Sequence, residues 1–155
     1  WGGVYDANAI VDGLDREIAL EVLEPTRIYV KPFCKLAEKM SIKGAVHITG
    51  DAYLKFQRLS IFSPGIGFEF TNFKPQRIFS VIQKAADRLH KPIADQEMFK
   101  TFNMGWGFAI IVNERDANAA IDGIEKTGIR AEQIGTITDT GKNIAYYKNK
   151  KILLQ

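Results

Sequence analysis

The sequence predicts an α+β domain in which helices pack on a mixed β-sheet. Short apolar runs with the spacing of β-strands alternate with segments of helical period through residue 128. The last strand-like runs then follow one another directly, which indicates an antiparallel tail after the alternating part. The chain has 155 residues, of which 46% are hydrophobic and 25% charged, as is typical of one globular domain.

Residues 1–24 are predicted to be a lead-in segment or linker, and residues 25–155 a single domain. The lead-in is rich in glycine and aspartate and ends in a short helical pattern over residues 16–24. Pro25 interrupts that pattern, and Thr26 follows in a position to cap the next helix.

The helix after Thr26 is predicted over residues 27–40. Pro32 lies early in this segment and predicts a kink or a later start. Its predicted apolar face consists of Ile28, Phe33, Leu36, Ala37 and Met40.

The remaining elements follow from period and from turn residues. They are strand 44–49, strand 66–73, helix 75–90, helix 95–102, strand 107–112, helix 113–128, strands 131–139 and 143–148, and, after a tight turn at 148–150, a last segment 151–155. Pro75 marks the start of helix 75–90, and Asp95 is predicted to cap helix 95–102. Gly128 is predicted to end helix 113–128. The continuous apolar run at 107–112 predicts a strand covered on both faces.

Charge and cysteine content narrow the functional classes. The net charge is +3, but the basic residues are scattered, which argues against a nucleic-acid groove. No apolar run approaches a membrane span and no export leader is visible, so a cytoplasmic protein without membrane contact is expected. Cys34, the single cysteine, is predicted to be a buried, inert thiol in a reducing compartment.

Three stretches contain residues that could carry chemistry. The first, "PTRIYVKP" at residues 25–32, places Arg27 beside a helix start, where free backbone N–H groups attract anions. Arg27 is either a phosphate-binding residue or a solvated cation next to a capped helix. The stretch leaves both interpretations open.

The second stretch, "HITG", places His47 at the end of a strand, followed by Thr49 and Gly50. A histidine side chain can donate or accept a proton near neutral pH, and a glycine turn can direct backbone amides at an anion. The alternative is a histidine that is satisfied by hydrogen bonds in the core. No metal-binding constellation is predicted.

The third stretch, "TFNMGWGFAIIV", joins a helix to a strand through Asn103, Gly105 and Gly107. Asn103 carries an amide that can both donate and accept hydrogen bonds. Glycine at such a junction permits unusual torsions or the close approach of a ligand. As a pattern, G-x-G is weak, because it precedes a strand instead of following one.

Taken together, "LEPTRIYVKP", "IKGAVHITG" and "DQEMFKTFNMGWGFAIIV" resemble the C-terminal half of the aminoimidazole ribonucleotide synthetases, also called phosphoribosylformylglycinamidine cyclo-ligases. The resemblance covers roughly residues 20–148. It implies an α/β fold that is partly ferredoxin-like. It also implies an ATP-dependent ring closure in de novo purine biosynthesis, with an active cleft against an N-terminal domain.

For the site, the resemblance implies that His47 is catalytic and that the ribonucleotide substrate is bound by Arg27, Thr49, Gly50, Asn103 and Gly105. Mg-ATP would be bound mainly by the N-terminal domain or subunit, and the complete enzyme would be a homodimer. The chain contains no glycine-rich phosphate cradle or acidic cluster for Mg-ATP, so by itself it is not expected to be active.

One departure from the family pattern stands in the second stretch. The family continues "HITG" with two more glycines, whereas this chain has Asp51 and Ala52. A carboxylate beside an expected phosphate is unfavourable unless Lys55, Arg58 or another cation offsets it. This departure supports an alternative function, a non-catalytic nucleotide-binding or assembly module of the same fold.

Overall fold

The computed structural model of the chain describes residues 3–154. The α-helices are α1 (Ile18–Val22), α2 (Val30–Ala37), α3 (Arg77–Arg88), α4 (Asp95–Thr101) and α5 (Ala117–Glu125). The strands are β1 (Gly44–His47), β2 (Gly67–Phe70), β3 (Phe108–Ile111), β4 (Gly135–Thr138), β5 (Asn143–Tyr147) and β6 (Lys150–Leu153). Two 3₁₀ helices span Ala52–Ile61 and Glu114–Asp116. The predicted α+β class is confirmed.

The strands of the described residues form two separate sheets. β1 and β3 pair antiparallel, with His47 opposite Phe108 and Gly44 opposite Ile111. The second sheet has the order β4-β2-β5-β6, in which β2 and β5 are parallel and the other pairs antiparallel. The predicted tight turn into the last segment is confirmed, because Lys148 and Asn149 both have positive φ, as a two-residue hairpin requires.

An aromatic cluster forms the centre of the core. The Phe99 ring lies 4.8 Å from Phe73 and 5.6 Å from Tyr53, and the Phe56 ring lies 4.9 Å from Phe70. Most of these pairs meet edge to face, an arrangement favoured by the ring quadrupoles. The cluster packs the long 3₁₀ helix against β2 and α4.

The long 3₁₀ helix, Ala52–Ile61, is the element that the sequence analysis did not predict. Its inward residues, Tyr53, Phe56 and Leu59, recur at every third position, which is the period of a 3₁₀ helix. Tyr53 and Phe56 are buried, and Leu59 packs partly buried against the core. A period of three over so few residues is hard to separate from the α-helical period of 3.6.

The turn before this 3₁₀ helix is strained. Asp51 and Ala52 have φ values of 62° and 34°, in the left-handed region that favours glycine. These are the two positions at which the resemblance leads one to expect glycines. The chain therefore keeps a glycine-type turn without the glycines.

Replacing Asp51 separates this strain from the charge of its side chain. We expect Asp51→Gly to be more stable than Asp51→Ala by about 1 kcal/mol, because both lose the carboxylate but only glycine relaxes at positive φ. Urea unfolding of the two variants measures the difference. Equal unfolding midpoints would show that the turn is not strained at Asp51.

The N-terminal segment packs on α3. Leu14 and Ile18 are buried in the common core, and the Arg88 guanidinium lies 4.9 Å from the Tyr5 ring centroid. Lys84 and Arg77 on α3 pair at 3.8 Å with Asp12 and Asp15 respectively. The predicted domain boundary at residue 24 stays a prediction, and residues 1, 2 and 155 lie outside the described residues.

Several local predictions around α2 are wrong, and one is confirmed. Cys34 is exposed, because Leu36 is the buried residue of α2 and a position two residues away points to the other side of a helix. Thr26 does not cap α2, whose N-cap residue is Tyr29. The later start predicted from Pro32 is confirmed, since α2 begins at Val30 and Pro32 lies in its first turn.

Asp95 also has a different role from the predicted cap. It is the first residue of α4, and its carboxylate accepts hydrogen bonds from Lys148 at 2.9 Å and Gln83 at 3.0 Å. Burial opposes ionisation of Asp95, but the bonds from Lys148 and Gln83 prevail and lower its pKa. Through these bonds the carboxylate links Lys148, in the β5–β6 turn, to Gln83 of α3.

Among residues 3–154, the helices are too short or too polar to serve as membrane spans.

Candidate functional site

The pairing of β1 with β3 brings two of the three predicted stretches together. β1 ends at His47 and β3 begins at Phe108, and these residues face each other across the antiparallel pair. The pairing continues one residue further, since the Ile48 amide donates to the Gly107 carbonyl at 2.9 Å. The loop after β1, with Thr49 and Gly50, therefore lies beside the loop before β3.

His47 lies at the surface in an aromatic setting. Its ring centroid is 5.9 Å from that of Tyr29, which it meets edge to face, and 6.0 Å from that of Phe108. The side chain is exposed, so the alternative of a histidine satisfied in the core does not hold. An exposed imidazole beside these two rings is accessible to a ligand that enters from solvent.

Tyr29 connects the first stretch to the other two. Its ring stacks on Phe108 at 5.2 Å, and its hydroxyl lies over Gly107, where an added Cβ would overlap it. Gly107 is therefore needed for the close approach of Tyr29. Burial raises the pKa of the Tyr29 phenol, and the positive charge of Arg27 partly offsets this effect. Arg27 itself is exposed, two residues before Tyr29.

The loop before β3 is built around the Asn103 side chain. Asn103 Oδ1 accepts a hydrogen bond from the Gly105 amide at 3.0 Å, and its backbone carbonyl accepts one from the Tyr53 hydroxyl, also at 3.0 Å. Gly105 has a φ of 106°, which requires glycine. Of the two hydrogen-bonding groups predicted for the Asn103 amide, the oxygen thus bonds to its own loop, and the nitrogen is the group proposed to contact a ligand.

Substitutions at Asn103 separate its two roles. We expect Asn103→Ala to lose about 1 kcal/mol of stability together with the amide donor, because the bond to Gly105 disappears. Asn103→Asp keeps an acceptor for Gly105 but lacks the donor, so it should retain stability and lose ligand affinity. Urea unfolding and titration with a ribonucleotide test this pair. Equal affinity of Asn103→Asp and the wild type would exclude a ligand contact by the nitrogen.

Two cations of the long 3₁₀ helix contact the loop after β1. Lys55 Nζ donates to the hydroxyl of Thr49 and, at 3.2 Å, to the carbonyl of His47. Arg58 Nη2 lies 3.0 Å from Asp51 Oδ2. The Arg58 cation therefore offsets the negative charge that Asp51 brings into this loop. Both members of the Arg58–Asp51 pair are exposed, so the pair contributes little to stability. Gly50 lies in open space, with nothing within 4 Å of an added Cβ.

A cavity of about 680 Å³ opens between the two sheets. Of the predicted site residues, Arg27 and Gly105 line it, and Tyr29 and Trp106 lie beside them. His47, Thr49, Gly50 and Asn103 lie outside the lining, at the neighbouring end of the β1–β3 pair. The sequence analysis did not predict this cavity. Because β3 borders it, Phe108, Ile110 and Ile111 are only half-buried instead of covered on both faces.

The structure adds three residues to the predicted site: Tyr29, Tyr53 and Lys55. Tyr53 is fully buried and fixes the Asn103 loop, and burial raises the pKa of its phenol, so it remains a hydrogen-bond donor. A sequence signal for Lys55 exists: the apolar residues Tyr53, Phe56 and Leu59 recur at every third position, which predicts a 3₁₀ helix with Lys55 on its outer side, beside the loop. No sequence signal pairs Tyr29 with Gly107, because the two residues are far apart in the chain.

Within residues 3–154, no group of three or more His, Cys, Asp or Glu side chains is arranged to hold a metal ion.

Comparison of the sequence with protein families identifies the class of protein to which this α+β fold and its motifs belong. Residues 5–148 match the family model described as AIR synthase related protein, C-terminal domain, and the chain belongs to this family.

Similar curated proteins are named phosphoribosylformylglycinamidine cyclo-ligase. The protein of Methanocaldococcus jannaschii is 37% identical over 152 residues, which cover 90% of this chain and 41% of that protein. The protein of Caldicellulosiruptor saccharolyticus is 39% identical over 132 residues, which cover 83% of this chain and 36% of that protein. The chain thus spans about two fifths of the length of the relatives that it matches.

Proposed function

We propose that this chain is the substrate-side domain of an ATP-dependent phosphoribosylformylglycinamidine cyclo-ligase, which closes an imidazole ring in cytoplasmic de novo purine biosynthesis. The pairing of β1 with β3 carries the proposal, because it sets His47 opposite Phe108 and brings the loop of Thr49 next to the loop of Asn103 and Gly105. This arrangement occurs in a chain whose relatives bear the name of that enzyme.

The roles follow from the chemistry of the side chains. His47, exposed and flanked by two rings, transfers a proton at the ring-closing centre. The Asn103 nitrogen and the backbone of Gly50 and Gly105 contact the ribonucleotide. Arg27 binds its phosphate through two-point hydrogen bonds, which a guanidinium provides and an ammonium does not. Thr49, already bonded to Lys55, lines the same loop.

Mg-ATP belongs, in this proposal, to the part of the longer enzyme that the chain does not span. Among the described residues, no group of three or more His, Cys, Asp or Glu side chains could hold a metal ion, and the proposal assigns the Mg²⁺ to that other part. The ATP-binding part would be the partner of this domain, and the complete enzyme a homodimer formed chiefly through that part.

The test uses the complete enzyme and this chain in parallel. The complete enzyme should convert formylglycinamidine ribonucleotide and Mg-ATP to aminoimidazole ribonucleotide and phosphate. The isolated chain should show no turnover, but titration with the substrate should shift the NMR signals of His47, Asn103 and Gly105. Absent turnover by the complete enzyme, with these shifts retained, would contradict the enzymatic proposal.

That last outcome would support the second candidate, a non-catalytic nucleotide-binding or assembly module. Asp51 and Ala52, in the positions of two family glycines, favour it. Asp51 adds a negative charge next to the expected phosphate, and its pairing with Arg58 uses a cation that could otherwise bind the ligand. Restoring activity with Asp51→Gly would show that this turn alone separates the two functions.

A further inference from the structure

The cavity between the sheets is bordered by two strand edges that have no strand partner. β3 pairs only with β1, and β4 pairs only with β2, among the strands of residues 3–154. The lining of the cavity contains the run 105–114 on one side and the run 129–137 on the other. Both free edges therefore face the same space.

The hydrogen bonds that flank each strand show which backbone groups point away from its partner strand, toward the free edge. The Gly107 and Ile111 carbonyls accept from Ile48 and Lys43 on the β1 side. Because bonding direction alternates along an antiparallel strand, the N–H and C=O groups of Phe108 and Ile110 point away from β1.

β4 follows the same rule. The Ile134 carbonyl accepts from the Thr71 amide on the β2 side, so Gly135 and Ile137 direct their backbone groups to the opposite edge. The Gly135 carbonyl accepts a bond at 3.4 Å from the Gln133 side chain, which confirms that it points outward.

Unpaired backbone groups on two edges around one cavity fit one kind of occupant. An extended polypeptide segment offers donors and acceptors on both of its sides, and it adds to a sheet edge as a further strand. Two further walls of the cavity are apolar. Leu36, Ile121 and Ile124 line the helix side, and Phe56, Phe68 and Phe70 line the sheet side. Successive side chains of a strand between β3 and β4 would point alternately to these two walls, so both walls would receive apolar side chains.

The lining of the cavity carries charges of both signs. Arg130 is paired with Glu132 at 3.1 Å and Glu114 is exposed, whereas Lys74 has no carboxylate within 4.0 Å among residues 3–154. A segment that carries a carboxylate at one end would complement Lys74. The relatives show where such a segment can come from, since this chain spans only 41% of the Methanocaldococcus jannaschii protein.

We propose that one extended strand, from the part of the longer enzyme that this chain does not span, lies between β3 and β4 with a carboxylate directed at Lys74. It joins the two sheets into one. The proposal rests on the proposed function in that the strand belongs to the same enzyme as this domain. Because the strand and the domain are linked, its insertion avoids the entropic cost of a separate binding partner.

Amide hydrogen exchange, measured residue by residue on the isolated chain and on the complete enzyme, tests the proposal. The amides of Phe108, Ile110 and Ile137 should exchange rapidly in the isolated chain and about 100-fold more slowly in the complete enzyme. The amides of Ala109 and Ile111, which point to β1, serve as internal controls and should be protected in both.

Two exchange results would overturn the strand. Rapid exchange of Phe108 and Ile110 in the complete enzyme would show that nothing pairs with the β3 edge. Protection of these amides already in the isolated chain would show that β3 and β4 join directly. Neither result depends on turnover, so an inactive complete enzyme with the predicted protection would contradict the proposed function alone.

A variant pair tests the charge at the rim. Lys74→Gln in the complete enzyme should speed exchange at Phe108 and Ile110 several-fold at low salt and leave Ala109 unchanged. Lys39→Gln, an exposed lysine outside the cavity lining, is the matched control and should have no effect. Identical exchange in both variants would exclude the carboxylate contact with Lys74.

Discussion

In the complete enzyme, we expect His47→Asn to lower kcat for ring closure by about 10²- to 10⁴-fold, the usual contribution of a positioned acid or base. The imidazole is exposed, and its ring centroid is 5.9 Å from that of Tyr29 and 6.0 Å from that of Phe108, so its loss should leave the fold intact. Steady-state turnover and the urea unfolding midpoint together measure the two effects.

His90→Asn is the matched control. His90 is also exposed but lies after α3, at a φ of 56° that asparagine tolerates. Its replacement should change neither turnover nor stability. In an active complete enzyme, equal turnover of the His47→Asn variant and the wild type would defeat the assignment of His47.

The largest effect on stability is expected for Phe99→Ala. The Phe99 side chain is fully buried, and its ring lies 4.8 Å from Phe73, 5.4 Å from Tyr147 and 5.6 Å from Tyr53. Removing it leaves a cavity where the 3₁₀ helix, α4 and β5 meet. The free energy of unfolding should fall by about 3–5 kcal/mol. This is a large part of the stability of an ordinary domain.

Phe62→Ala is the control for the same chemical change on the surface. Phe62 is 85% exposed at the end of the long 3₁₀ helix, so its replacement should alter the free energy of unfolding by no more than about 0.5 kcal/mol. Urea unfolding followed by tryptophan fluorescence compares the two variants. A similar loss for both would mean that the aromatic cluster does not form the core.

Local patterns predicted most of the elements. The helical period over Ile78, Phe79 and Ile82 indicated α3, and alternating or continuous apolar runs indicated β1, β2 and β3. The turn at Lys148 and Asn149 was visible as a short polar break between two strands. These signals act over a few residues, so they survive in a single sequence.

The wrong predictions concern side chains whose position is decided by a residue distant in the sequence. Asp95 has the residue type of a cap, but Lys148, which is 53 positions away, binds its carboxylate. Cys34 has the residue type of a core position, but α2 packs through Leu36 and leaves the thiol outside. Residue type and period describe a preference, and packing against the rest of the chain selects among the alternatives.

The sequence by itself determined the α+β class, the order of most elements and the three stretches that contain the candidate site residues. Only the tertiary structure decided which of these residues meet. The β1–β3 pairing sets His47 beside the Asn103 loop, and the contact of Tyr29 with Gly107 adds the stretch of Arg27. The physical reason is range, because propensity and turn chemistry act between neighbours, whereas strand pairing, aromatic packing and the cavity depend on residues far apart in the chain.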